Sequence, residues 1–135
     1  MIKFDLEAFK SISEKVFNCD SPSGYNHNIV KLLSSYLDEY NVEYKVHNKG
    51  TIEVFIKGND SSKVVATSAH VDTLGLMVRS IKGNGNLALT KIGGPIVPTL
   101  DGEYCKVVTR DNKVYTGTIL STSNAAHVFK DSESK

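Results

Sequence analysis

The spacing of the hydrophobic residues changes once along this 135-residue chain. Up to about residue 41, apolar side chains recur at intervals of three and four, which is the spacing along one face of a helix. From residue 42 onward they tend to alternate with polar side chains, which is the pattern of half-buried strands. The sequence therefore predicts helices in the amino-terminal part and mainly strands in the rest.

Two helices are predicted before the change of period. The first extends from about Leu6 to Asn18, and the second follows turn residues at 21–24 and contains apolar positions 29–37. A β-hairpin is predicted next, over residues 42–57. Both helices need a hydrophobic core against which their apolar faces can pack.

The segment KVVATSA, residues 63–69, differs from the strands around it. Its three consecutive apolar residues, 64–66, predict an interior strand covered on both faces, with His70 at its carboxyl end. Beyond it the sequence predicts four short strands and tight turns, including a hairpin turn at GNGN, residues 83–86. Four strands of this kind are typical of a small barrel or sandwich.

Composition excludes several classes of partner. The 16 basic and 15 acidic residues leave a formal charge of +1, so no basic surface for nucleic acid or an anionic membrane is indicated. The sequence has no signal-peptide core at its start and no run of 18 apolar residues. Cys19 and Cys105 are too few and too far apart in sequence to indicate a disulfide framework or a zinc ribbon. We expect a cytoplasmic globular protein without nucleic-acid or membrane partners.

The strongest candidate for chemistry is SAHVDTLGLMV, residues 68–78. Alternate side chains of extended chain share a face, so His70 and Asp72 are expected to point the same way. A neutral imidazole can bind a metal ion while a carboxylate accepts a hydrogen bond from its other ring nitrogen. A hydrogen-bonded surface pair is the alternative, because a catalytic zinc needs about three protein ligands. The other histidines are interpreted as ordinary polar side chains: His27, His47 and His127.

Four motifs follow one another in order along the chain: PSG at 22–24, NKGTIEVFIKG at 48–58, AHVDTLGLMV at 69–78 and LTKIGG at 89–94. Together they resemble the amino-terminal part of the tetrahedral, or glutamyl, aminopeptidases, a family of metallopeptidases. The later segment GEYCKVVTRDNKVYTGTIL continues the resemblance, which covers almost the whole chain. Some members of this family carry the label of glucanase, but no residue here supports carbohydrate chemistry.

The resemblance implies a cytoplasmic exopeptidase that removes N-terminal residues from peptides with two divalent metal ions, zinc or cobalt. His70 matches a metal ligand of the family, and Asp72 matches the aspartate that orients it. The family's other ligands and its general base would lie beyond Lys135. The chain is therefore expected to be a truncated, nearly inactive part of a parent that forms homo-oligomers, either dimers or dodecamers.

The resemblance also implies two domains. Residues 1–72 would be the first part of an α/β catalytic domain of the zinc-exopeptidase type, and residues 73–135 an incomplete all-β, barrel-like insert used for dimerisation. The chain departs from the family at three positions. Asn26 and Thr73 stand where acidic residues are common, and Thr51 stands where an asparagine is common. These departures concern substrate preference more than the class of enzyme.

Two other functions stay open at the level of sequence. The β-rich half could serve as a non-catalytic assembly or binding module. An oligonucleotide-binding barrel is a further alternative, which the near-neutral charge disfavours. The number of metal ions bound and any peptidase activity would distinguish an enzyme from either module.

Overall fold

The computed structural model describes residues 4–60 and 62–121. The backbone divides between Gly93 and Gly94 into two compact units. Among the described residues, the first unit holds two α-helices and two β-hairpins, and the second holds a short 3-10 helix, Val97–Leu100, and one hairpin. The predicted domain boundary between residues 72 and 73 stays a prediction.

The two predicted helices are confirmed. Helix α1 spans Leu6–Phe17 and helix α2 spans His27–Glu39. The Asp5 carboxylate accepts a hydrogen bond of 3.0 Å from the Ala8 N–H, and this satisfies one of the amides that the start of a helix leaves without an internal partner. Ile29 of α2 is only 2% exposed, so the apolar face of this helix supplies the core of the first unit.

Six strands follow the helices in the part of the chain that the structure describes. They are β1 (Tyr44–Val46), β2 (Ile52–Val54), β3 (Gly75–Ile81), β4 (Leu87–Ile92), β5 (Tyr104–Val108) and β6 (Val114–Thr118). They form three antiparallel hairpins, β1 with β2, β3 with β4 and β5 with β6. A β-bulge interrupts the second hairpin between Val78 and Ser80. Gly85, with φ +86°, lies in the turn of that hairpin, which confirms the turn predicted from GNGN.

The sheets differ from the predicted architecture. Within residues 4–60 and 62–121, each sheet contains two strands, and neither a parallel sheet nor a closed barrel is formed. A barrel requires every strand to pair along both edges, whereas each of these strands is paired along one. Helices followed by β-hairpins are therefore confirmed, but the α/β sheet and the barrel-like insert are not.

The interior strand predicted at residues 63–69 is wrong for this structure. Residues 62–72 belong to no strand, and Val64 and Val65 are 78% and 91% exposed. An interior strand needs hydrogen-bonding neighbours and a covering layer on each face, and the described parts of the chain supply none of these to this segment. Consecutive apolar residues show what a segment could bury, not that its neighbours are present.

The start of α2 is tied to the turn between β1 and β2. The Asn26 side-chain amide donates a hydrogen bond of 2.7 Å to the Lys49 carbonyl. Gly50 has φ +84°, and a Cβ atom at this position would lie 2.1 Å from Asn26 Nδ2. The close approach therefore requires glycine, both for its backbone conformation and for its missing side chain.

Neither described helix is long and apolar enough to cross a membrane.

Candidate functional site

The site forms where the loop after α1 meets the segment that leads into β3. The Ser21 hydroxyl donates a hydrogen bond of 2.6 Å to the Val71 carbonyl. The Ser21 N–H donates to Thr73 Oγ1, and the Thr73 N–H donates to the Ser21 carbonyl, each at 3.2 Å. Pro22 and Thr73 form an isolated parallel β-bridge. These contacts join parts of the chain about fifty residues apart and hold the backbone on both sides of Asp72.

Close packing continues just beyond this contact. Gly75 is the first residue of β3, and a Cβ atom at this position would lie 2.6 Å from Pro22 Cβ. The proline ring therefore occupies the space that a side chain at position 75 would need. This packing brings the loop after α1 directly against the start of β3.

His70 and Asp72 lie within this supported segment. His70 Nδ1 and Asp72 Oδ1 are 2.9 Å apart, and the two side chains are 87% and 52% exposed. An ionised carboxylate can only accept a hydrogen bond, so in this pair the imidazole carries its proton on Nδ1. In the neutral form of the ring, the form of histidine that binds metals, this leaves the Nε2 lone pair for a metal ion.

The donor set can hold only part of a metal centre. Among the residues that the structure describes, no group of three or more His, Cys, Asp or Glu side chains is arranged around a common metal position. His70 fits one ligand position because its free nitrogen is accessible, and Asp72 fits the role of orienting it. A pair of ions 3.5–4 Å apart, as is typical of two-metal sites, would need further ligands.

The other described histidines have local partners. His47 Nε2 and Glu53 Oε2 are 2.7 Å apart across the first hairpin. The His27 ring packs edge-on against the Tyr25 ring, with 4.5 Å between centroids. Both agree with their interpretation as ordinary polar side chains, and His127 lies outside the described residues. The His47–Glu53 pair was not predicted, although a hairpin register places such diagonal neighbours within reach.

Ser21 was also missed by sequence reasoning. Ser21 belongs to a turn motif, and such turns are usually exposed, yet this residue is only 1% exposed. Its partners, Val71 and Thr73, come from a distant part of the sequence. A local pattern carries no signal for such a contact.

Two carboxyl groups outside the site have a lowered pKa. Hydrogen bonds from Ser62, first from its hydroxyl and then from its backbone N–H, lower the pKa of Asp60. The Thr109 hydroxyl, and after it Lys113, lower the pKa of Asp111 in the turn between β5 and β6. Both groups stabilise exposed turns and lie away from His70 in the sequence.

Comparison with protein families gives a direct match. The family described as M42 glutamyl aminopeptidase matches residues 50–135, a range that includes His70 and Asp72.

Two curated relatives match most of the chain. YhfE of Bacillus subtilis (strain 168), a protein named as an aminopeptidase, is 38% identical over 118 residues, which are 87% of this chain and 34% of YhfE. Lysyl aminopeptidase of Pyrococcus furiosus is 30% identical over 105 residues, which are 77% of this chain and 30% of the relative. The chain thus spans about a third of the length of the curated relatives it matches.

Solved structures show a similar fold. The TET aminopeptidase from the marine sediment archaeon Thaumarchaeota archaeon SCGC AB-539-E09 superposes with a TM-score of 0.80 at 23% identity, over 96% of this chain and 35% of that chain. PhTET1-12s, solved as a dodecamer, superposes with a TM-score of 0.68 at 25% identity. The superposition covers 87% of this chain and 34% of that chain. The backbone fold of this chain is therefore similar to that of about a third of each of these proteins.

Proposed function

Because this chain belongs to the M42 glutamyl aminopeptidase family, we propose that it forms the amino-terminal part of a metalloaminopeptidase that removes N-terminal residues from peptides. The observation that carries the proposal is the 2.9 Å contact between His70 and Asp72 inside the matched range. The names of YhfE and lysyl aminopeptidase support the same class of activity.

His70 would bind a divalent metal ion, zinc or cobalt, through Nε2. When bound, two such ions supply Lewis-acid polarisation of a peptide carbonyl and lower the pKa of a water molecule. The remaining ligands and the general base are proposed to come from the part of the parent that corresponds to the rest of the relatives' length. One histidine with its carboxylate is therefore this chain's contribution to a shared centre.

Asp72 keeps the His70 ring in a reactive state and a fixed orientation. Its carboxylate accepts the Nδ1–H, which holds the lone pair on Nε2 and increases the basicity of that nitrogen. The high exposure of His70 leaves this nitrogen accessible to a metal ion, whose other ligands would be supplied by other parts of the parent.

The remaining features of the proposal concern the parent protein. Residues 1–72 are proposed to belong to its catalytic domain and residues 73–135 to a dimerisation insert. A homo-oligomer is proposed because PhTET1-12s is a dodecamer. Both Cys19 and Cys105 are free, which is consistent with a reducing cytoplasm.

One observation favours the alternative of a β-rich assembly module. Several large apolar side chains on the second hairpin and next to it are exposed, as expected for a surface that another subunit covers. They are Leu74, Met77, Val78 and Ile81. This alternative predicts association without any metal or peptidase activity, so metal binding by His70 would separate the two functions.

The test uses the full-length protein that contains this chain. Metal removal with a chelator should abolish hydrolysis of aminoacyl-p-nitroanilides, and zinc or cobalt should restore it. His70→Ala should reduce metal affinity by more than the about 10- to 100-fold typical of losing an orienting partner. His47→Ala is the matched control, since its ring also contacts a carboxylate. Unchanged metal binding and activity in the His70 variant would exclude the proposal.

A further inference from the structure

Ser21 is buried more completely than its position in a turn requires. The side chain is 1% exposed, less than the core residue Ile29 at 2%. A buried hydroxyl is costly unless it is hydrogen-bonded, and here the partner is the Val71 carbonyl at 2.6 Å. Val71 lies between His70 and Asp72, so the burial of Ser21 bears directly on the geometry of that pair.

Thr73 completes the contact on the other side of Asp72. Its hydroxyl oxygen accepts the Ser21 N–H, and its own N–H donates to the Ser21 carbonyl. Three hydrogen bonds thus join Ser21 to the two residues that flank Asp72. Such an arrangement restricts the backbone dihedral angles from Val71 to Thr73.

This restriction matters because the candidate pair has little other support. Residues 62–72 pair with no strand in the described parts of the chain, and the His70 and Asp72 side chains are mostly or half exposed. A side chain that packing does not hold has to be ordered when its ligand binds, which weakens binding. Among the described residues, the contacts of Ser21 hold the backbone on both sides of Asp72.

We propose that Ser21 and Thr73 are positioning residues for the His70–Asp72 pair. Their hydrogen bonds fix the backbone so that the Nδ1–Oδ1 contact forms and His70 Nε2 points in one direction. The proposal rests on the proposed function of His70 as a metal ligand. In this proposal Ser21 and Thr73 are not metal ligands and act through the backbone that they hold.

The test compares two substitutions of Thr73 in the full-length protein, first freed of metal. Thr73→Val keeps the shape of the side chain but removes the oxygen that accepts the Ser21 N–H, whereas Thr73→Ser keeps that oxygen. Each protein is titrated with Co²⁺ alone, and the affinity and visible d–d absorption bands are recorded. We expect Thr73→Val to weaken Co²⁺ binding by about tenfold and to alter the bands, and Thr73→Ser to preserve both.

Ser21→Ala provides a second variant that removes the bond to the Val71 carbonyl. It should resemble Thr73→Val in affinity and spectrum, and circular dichroism would establish that it is folded. Asn26→Ala is the structural control, because it removes a hydrogen bond of similar length from the same unit without touching the candidate pair. It should leave the cobalt spectrum unchanged.

The outcomes separate this proposal from the one on which it rests. If His70→Ala binds Co²⁺ as the wild type does, the metal-ligand function is excluded and the positioning role falls with it. If His70→Ala loses Co²⁺ while Thr73→Val and folded Ser21→Ala keep the wild-type affinity and spectrum, only the positioning role is overturned. Equal losses in Thr73→Ser or Asn26→Ala would also overturn it, because a general structural effect would then explain the data.

Discussion

Two of the histidines that the structure describes contact a carboxylate, but in different surroundings. His47 and Glu53 lie on the two sides of a hairpin turn, where strand pairing brings them together. His70 and Asp72 are two residues apart in a segment without strand pairing. We therefore expect the proposed role of the second pair to depend on the backbone conformation around Val71, which Ser21 contacts.

At the residue scale we predict the effect of replacing the orienting carboxylate. Asp72→Asn keeps the size of the side chain but removes the negative charge that is proposed to orient the His70 ring. In the full-length protein, metal affinity should fall by about 10- to 100-fold, as measured by competition with a chromophoric chelator. Glu53→Gln makes the same chemical change beside His47 and should have no effect. Equal affinities for the Asp72 variant and the wild type would contradict the prediction.

How much of the site was predictable also depends on single residues. The His70–Asp72 pair could be predicted because alternation in extended chain is a local rule. Ser21 could not, because its burial arises from packing between segments about fifty positions apart. The roles of Asn26 and Thr73 were missed for the same reason. These two positions were identified as departures from the family, and each makes a hydrogen bond to a distant part of the chain.

At the scale of elements, hydrophobic periodicity predicted most of what formed. The ends of α1 and the pairing of the first two hairpins agree with it, because helix and hairpin contacts are local. It failed at residues 63–69, where burial would depend on strands from elsewhere. In the hairpin predicted over residues 42–57, the second strand is shorter than its hydrophobic pattern indicates. It spans Ile52–Val54, and Phe55 and Ile56 beyond it are exposed. A hydrophobic pattern shows that a segment could be buried, whereas a strand forms only where a second segment pairs with it.

The contact between α2 and the first hairpin gives a prediction about stability. Gly50→Ala places a methyl group against Asn26 and imposes a positive φ on alanine. The conformational cost is about 1–2 kcal/mol, and displacing the Asn26 amide from the Lys49 carbonyl adds about 1 kcal/mol. Urea unfolding should therefore show that the free energy of unfolding of the Gly50→Ala variant is lower by about 2–3 kcal/mol.

Gly24→Ala is the matched control for this change. Gly24 also has a positive φ, +88°, but a Cβ atom at this position would have no neighbouring atom within 4 Å. In the Gly24→Ala variant the free energy of unfolding should therefore fall only by the conformational cost of a positive φ at alanine. Equal destabilisation by the two substitutions would show that the approach of Asn26 contributes nothing.

At the scale of the whole molecule, the described structure leaves much apolar surface in contact with solvent. Val64 and Val65 are examples within the first unit, and Tyr104 and Leu120 within the second. Burial of apolar surface is the main source of folding free energy. Both units therefore have little of the burial that stabilises an independent domain.

This surface and the partial donor set lead to a prediction for the 135-residue chain produced alone. It should bind less than two equivalents of zinc and release no amino acid from peptides, because one histidine cannot hold two ions. Elemental analysis after dialysis and an aminopeptidase assay would check both. Two tightly bound zinc ions together with turnover would contradict the prediction and show a complete enzyme.

The link between Ser21 and Thr73 also has a consequence for the order of folding. It closes a loop of about fifty residues, and such closure carries an entropic cost that helices and hairpins avoid. The helices and the first hairpin can form within microseconds from neighbouring residues. We therefore expect the segment around His70 to acquire its native backbone late, after the elements inside the loop have shortened the distance that its ends must cross.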